Sequence, residues 1–421
     1  MGFYINSVAD SNLVFDSDFS PKNAIFTNSS SLTTTETKIK ASDGAANDLF
    51  GYAVAVGSGR IVVGARDDDD SSANSGSAYI FDLGGTQLAK IKASDPAQNG
   101  RFGWSVAVGS GRIVVGAYAD DDNGSNSGSA YIFDLGGTQL AKIKASDGAA
   151  SDNFGYSVAL GSGRIVVGSP YDDDNGSSSG SAYIFDLDGT QLAKIDASDG
   201  ASNDWFGLSV AVGSGRIVVG AYGDDDNGSS SGSAYIFDLD GTQLAKIDAS
   251  DGASGDGFGR SVAVGSGRIV VGSPYDADNG STSGSAYIFD LGGTQLAKIK
   301  ASDGATGDGF GLSVAVGSGR IVVGAWLDDD NGSASGSAYI FDLGGTQLAK
   351  IDASDGAAVD FFGFSVAVGS GRIVVGSSYD DDNGSDSGSA YIYNIGPGKD
   401  IDYSEYIEDV LSGVITQHTR L

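Results

Sequence analysis

Phe-Gly pairs recur every 52 residues without slippage, at Phe50-Gly51, Phe102-Gly103, Phe154-Gly155, Phe206-Gly207, Phe258-Gly259, Phe310-Gly311 and Phe362-Gly363. A fixed period of this length means that one supersecondary unit, copied seven times, builds most of the chain. Glycine is abundant, at 67 residues, and its placement in turns rather than in a Gly-X-Y order excludes a collagen-like chain.

The third copy shows what the unit is. Ser157-Val158-Ala159-Leu160 reads as a short alternating strand, and Gly161-Ser162-Gly163 as a tight turn. Arg164-Ile165-Val166-Val167 is nearly all apolar, as a strand covered on both faces should be. A polar loop, Asp172 to Gly180, leads to a third strand over residues 181–187. Asp188-Gly189 then marks a hairpin before a fourth, more polar strand over residues 190–196, expected outermost. Four antiparallel strands per copy, seven times over, predict an all-β fold: a seven-bladed β-propeller.

The ends of the array favour a closed ring over an open stack. Copy seven stops after its third strand, at Ile392-Tyr393-Asn394, with no fourth-strand segment behind it. Residues 35–43, Thr-Glu-Thr-Lys-Ile-Lys-Ala-Ser-Asp, carry that segment ahead of copy one. An N-terminal strand that completes the last blade removes the exposed sheet edges. The predicted organisation is an N-terminal arm (1–32), the propeller (33–395), and a C-terminal linker with an amphipathic helix (396–421).

The Phe-Gly pair opening each blade, with Gly-Ala or Gly-Ser-Pro closing its second strand (Gly64-Ala65, Gly116-Ala117, Gly168-Ser169-Pro170, Gly272-Ser273-Pro274), resembles the FG-GAP repeats of the integrin α-subunit propeller. That family places a calcium loop of the type D-x-D-x-D-G-x-x-D between the two elements. Here the place holds only Val56-Gly57-Ser58-Gly59-Arg60 and its equivalents, too short for six to eight oxygen ligands. The family's calcium residues therefore have no counterparts at that position.

Acids outnumber bases 55 to 24, for a net charge of −31, which argues against nucleic-acid or anionic-membrane partners. There is no cysteine, hence no disulfide framework or thiol chemistry. No apolar run is long enough to span a bilayer, and the first residues lack the basic and apolar regions of a standard secretory signal. Most of the acids fall in two loops per blade that the strand order puts on one face. One set supplies candidate calcium ligands: Asp68, Asp70, Asp120, Asp122, Asp172, Asp174, Asp224, Asp226, Asp276, Asp278, Asp328, Asp330, Asp380 and Asp382. D-x-D-N-G-S-x-S offers hard oxygen donors around a glycine turn. The same residue types also make a solvated turn that caps its own backbone, so both readings stand. No organic cofactor is expected.

The opposite face carries Arg60, Arg112, Arg164, Arg216, Arg268, Arg320 and Arg372, expected to form structural ion pairs with third-strand aspartates such as Asp82, Asp134 and Asp186. The Phe-Gly phenylalanines are expected between blades. Aromatics that vary between copies beside the acidic loops are candidate contacts for a cell-surface glycan or protein: Tyr118, Tyr171, Trp205, Tyr222, Tyr275, Trp326, Phe361 and Tyr379. In the tail, Tyr403, Tyr406, Ile407, Val410 and Leu411 form an amphipathic stripe expected to attach to other proteins of a larger assembly.

The one histidine, His418, lies in that tail, and seven near-copies of one loop single out no acid–base pair. The sequence therefore points to a non-enzymatic binding or structural module at a virion or extracellular surface. A phage capsid-decoration or tail-associated protein is the first expectation, a bacterial calcium-dependent adhesin the alternative, and a glycan hydrolase using face carboxylates the third.

Overall fold

The computed structural model describes residues 35–395 and contains seven four-stranded antiparallel sheets. In blade one the strands run Phe50–Gly57, Arg60–Ala65, Ser77–Phe81 and Gln87–Ile91 in order from the axis outward. The first strands of adjacent blades pack on one another all the way round, so they line the axis. The last sheet combines Ser365–Gly369, Arg372–Ser377 and Ser389–Asn394 with the N-terminal strand Glu36–Ile39. Glu36 pairs with Tyr393 and Ile39 with Ala390, closing the ring as the displaced segment requires.

The closing strand is clasped by side chains that the other blades lack. Elsewhere a glutamine, such as Gln87, opens the outer strand and bonds to a serine of the preceding blade linker. Here Glu36 accepts from the Ser354 amide and hydroxyl (3.1 and 2.6 Å) and from the Tyr393 hydroxyl (2.8 Å). Tyr393 replaces the phenylalanine found at Phe81, Phe133 and their equivalents.

The core lies between blades. Each of seven apolar clusters joins the second and third strands of one blade to the Phe-Gly phenylalanine and inner strands of the next. Phe50 is fully buried, with Tyr79 and Phe81 edge-on at 5.4 and 5.9 Å. The two glycine elements of the repeat meet at the same seam. A Cβ on Gly64 would collide with the Gly103 carbonyl, and Gly103 itself has φ of +90° against the Ser77 carbonyl. Only glycine permits that approach and that backbone angle together. Ser365 Oγ donates to the Gly51 carbonyl at 2.8 Å, so the last blade grips the first as its neighbours grip one another.

At the first turn, Gly57 pairs with Arg60, leaving Ser58 and Gly59, both at positive φ, as a two-residue hairpin loop. The Asp82 carboxylate does not reach the arginines. It accepts from the Gly84 and Thr86 amides at 2.9 and 2.8 Å and caps its own turn, as do Asp134 and Asp186. Arg60 instead donates to the Leu135 carbonyl of the next blade, at 3.3 Å. The expected third-strand ion pairs are therefore replaced by turn caps and inter-blade bonds. The pairs that do form, Arg164–Asp240 (3.4 Å) and Arg112–Asp188 (3.7 Å), use turn aspartates that are almost fully exposed, and such pairs contribute little.

Candidate functional site: lysine-filled aspartate cages and an axial aromatic mouth

Each blade builds the same cluster on the acidic face. In blade four, Lys246 comes from the outer strand Gln243–Ile247, Asp224 and Asp226 from the second-to-third-strand loop, and Asp199 from the linker entering the blade. The ammonium lies 2.8, 2.9 and 2.5 Å from Asp199, Asp224 and Asp226. The Tyr235 hydroxyl sits 2.8 Å from Asp199 and 2.9 Å from Asp224, bridging linker and loop. The Asp226 amide donates to the second Asp224 oxygen at 3.1 Å. Asp224 is thus buried with every strong interaction made inside the protein.

The arrangement repeats at Lys90, Lys142, Lys194, Lys298 and Lys350, and the closing strand supplies Lys38 to Asp355, Asp380 and Asp382 at 2.8, 2.7 and 2.6 Å. Burial by itself would lower each lysine pKa. The carboxylates outweigh it and hold Lys38, Lys246 and Lys298 above the ordinary amine range. The linker carboxylates Asp43, Asp147, Asp199, Asp251, Asp303 and Asp355 respond in the opposite sense: desolvation raises them, but lysine and tyrosine hydrogen bonds bring them below the usual range.

All fourteen candidate metal aspartates therefore belong to seven equivalent cages. Asp251, Asp276 and Asp278 bring carboxylate oxygens within 4.8 Å of one another, a spacing able to hold an ion. Lys298 Nζ lies inside that group, at 2.8, 2.8 and 2.7 Å. The middle aspartate of the loop is exposed and stands outside the cage, Asp225 accepting from the Ser230 amide at 2.7 Å, so Ala277 in copy five leaves its cage complete. The hairpin at Ser58-Gly59, where the family's calcium loop would stand, contains no carboxylate and does not fit a metal.

A second acid, present in every linker except that of blade two, where Gly100 stands, differs. Asp48, Asp152 and Asp360 are buried, each accepting one amide, and desolvation pushes them up to about 6. Three blades add a further carboxylate. Asp196, Asp248 and Asp352 follow the outer strand where other copies have lysine, and each accepts from a serine hydroxyl at 2.6 Å. In lysine-bearing copies the equivalent hydroxyls of Ser77, Ser129, Ser285 and Ser389 have no partner.

The eight expected contact aromatics form three groups on the acidic face. Tyr171, Trp205, Tyr222 and Tyr275 make a chain with centroids 6.5, 5.5 and 6.2 Å apart. Trp326, Phe361 and Tyr379 make a second, at 5.0 and 4.9 Å. Tyr118 packs instead on Trp104, at 4.4 Å. Trp104 belongs to a set that the sequence reading missed: the residue after each Phe-Gly pair. Phe364, Tyr52, Trp104 and Tyr156, from four successive blades, form a continuous aromatic arc with spacings of 5.0, 4.9 and 5.2 Å. Tyr403, Tyr406, Ile407, Val410 and Leu411 lie outside the described residues.

Ring, displaced strand and glycine seam define a closed repeat propeller. The FG-GAP repeat family model matches residues 33–81, 86–133, 138–185, 190–237, 242–289, 294–341 and 346–393, and the chain belongs to that family. The matched unit starts on an outer strand and ends on the third strand of the following blade, so each repeat straddles two blades. A search of the curated proteins finds no match. Among the described residues no helix is long and apolar enough to cross a membrane.

Proposed function

We propose that this FG-GAP propeller is a non-enzymatic recognition module held in a larger assembly by its two ends, as a phage capsid-decoration or tail-associated protein would be. The observation that carries the reading is the equivalence of the seven cages. Catalysis by paired carboxylates needs one acid and one base with pKa values driven apart. Here both kinds of face carboxylate, the lysine-bound acids of the cages and the raised linker acids such as Asp48 and Asp152, recur from blade to blade, so no single acid–base pair is set apart. Sevenfold repetition builds a rigid disc, and difference between blades is left to the residues around the axis.

The calcium-dependent adhesin remains the second reading, favoured by the close carboxylates of Asp251, Asp276 and Asp278. Against it, the lysine ammonium already occupies the centre of each cage, and we read it as the resident cation. Immunogold labelling of particles and cells from the source culture, with antiserum to the propeller, tests the assembly reading. Label on virions supports it, label on the outer cell surface supports the adhesin, and label confined to the cytoplasm overturns both.

A further inference from the structure

In a chain of near-identical copies, the positions that differ carry whatever individuality the molecule has. Four positions per copy are among those that differ most and are the ones where aromatic and arginine side chains come and go: the residue before the Phe-Gly pair, the residue after it, and the two residues that follow the Gly-Ala or Gly-Ser element. All four lie where the innermost strand begins and the second strand ends, on the acidic face around the axis.

The charges there run against the rest of the molecule. Outside the repeated Gly-Ser-Gly-Arg turns and the C-terminal Arg420, the chain has three arginines, Arg66, Arg101 and Arg260, and all three occupy these variable positions. The Arg66 guanidinium lies 3.9 Å from the Tyr52 ring centroid and 4.7 Å from that of Trp104. Arg66 and Arg101 share one carboxylate, Asp67. Arg260 pairs with no carboxylate within 4.0 Å among the described residues. In a ring of seven, the fifth blade stands opposite the junction of the first two, which puts position 260 across the axis from positions 52 and 104. The field of Arg260 reaches Tyr52, Tyr156 and Tyr222, whose hydroxyls burial otherwise holds above the ordinary phenol range. The four variable positions therefore carry three arginines against one carboxylate, Asp67, among aromatic side chains, on a protein of net charge −31.

We propose that this axial mouth binds an anionic saccharide residue, its sugar ring lying on the Tyr52–Trp104–Tyr156 arc and its carboxylate or sulfate held by Arg260 and Arg66. Aromatic faces take the C–H face of a pyranose, and guanidinium forks pair planar or tetrahedral oxyanions. A ring has one axial mouth, which limits binding to one ligand per chain. The proposal rests on the recognition-module reading but uses a surface separate from the ends, so either can fail alone.

The test is calorimetry on the full chain with tetragalacturonate, a heparin-derived tetrasaccharide and neutral maltotetraose, together with tryptophan fluorescence. At least one anionic probe should bind with a stoichiometry of one and quench fluorescence, and maltotetraose should not bind. Whichever anionic probe binds identifies the anion. Arg260→Gln and Arg66→Gln should each weaken binding about tenfold or more, as loss of a charge-assisted pair does, with Arg260→Lys intermediate. Asp240→Asn, on the opposite face, should leave affinity unchanged. Circular dichroism confirms that each variant is folded, and Trp104→Ala probes the wall independently of the charges. Silence from both anionic probes, a stoichiometry near seven, or unchanged affinity in Arg260→Gln and Arg66→Gln would overturn the proposal. Loss of assembly on deleting residues 396–421 with saccharide binding intact would separate it from the attachment reading.

Discussion

Replacing Lys246 by methionine removes the ammonium of one cage while keeping most of its apolar stem. Asp224, with 5% of its side chain exposed, then keeps the Tyr235 hydroxyl and the Asp226 amide but loses its only cation. Breaking a fully buried ion pair by removing one partner costs about 3–5 kcal/mol. The other two carboxylates, 43% and 63% exposed, regain water and contribute little. The expected loss is therefore near the bottom of that range, about 3 kcal/mol. Urea titration at pH 7 should show a lower midpoint with an unchanged slope, the signature of lost stability without altered compactness. Adding Asp224→Asn to Lys246→Met removes the orphaned charge and should recover more than half of the loss. A cost below about 1 kcal/mol for Lys246→Met, the value of an exposed pair, would refute the claim that the ammonium neutralises a buried carboxylate.

Three further outcomes follow from the same geometry. Tyr393→Phe should cost about 1.5–3 kcal/mol in urea, a hydrogen bond to a charged group. Glu36→Gln with Tyr393→Phe should recover part of that loss by removing the stranded carboxylate, and only part, because the closing strand lacks the bulge that sets Gln87 opposite Phe81 in blade one. Asp152, pushed up to about 6 by burial, binds its proton more tightly folded than unfolded, so its ionisation lowers stability as pH rises through about 4 to 6. Asp152→Asn should therefore be more stable than wild type at pH 8, with the advantage gone below about pH 4 when melting curves are compared. Deleting residues 396–421 should leave the melting curve of the ring unchanged while abolishing co-sedimentation with native particles.

Much of the fold was legible because the repeat reports on itself. Seven fixed Phe-Gly spacings count the blades, and the displaced segment at residues 35–43 specifies closure, since a missing strand at one end and a spare at the other have one economical solution. What stayed hidden depends on who meets whom after folding. Lys246 is 22 residues from Asp224 and 47 from Asp199, separations that carry no local signal. The clue was available nonetheless, because one lysine and one tyrosine recur in every copy in step with the two outer aspartates. The Asp82 expectation failed for a local reason: an aspartate opening a tight turn is captured by that turn's own amides before a distant arginine can compete. The axial mouth carries no local signal, because its residues stand 52 apart and meet only when the ring closes. Tyr52, Trp104, Arg260 and Phe364 are visible as the residues that do not repeat.

The central claim is that the acidic face carries its own seven cations. Thermal melts of the wild type in millimolar calcium and in chelator test it most directly. Coincident curves are predicted for the wild type, with a calcium-dependent rise appearing only in Lys246→Met, whose emptied cage becomes a site that mass action can fill. A clear rise in the wild type itself would mean that metal displaces lysine, and would contradict the account.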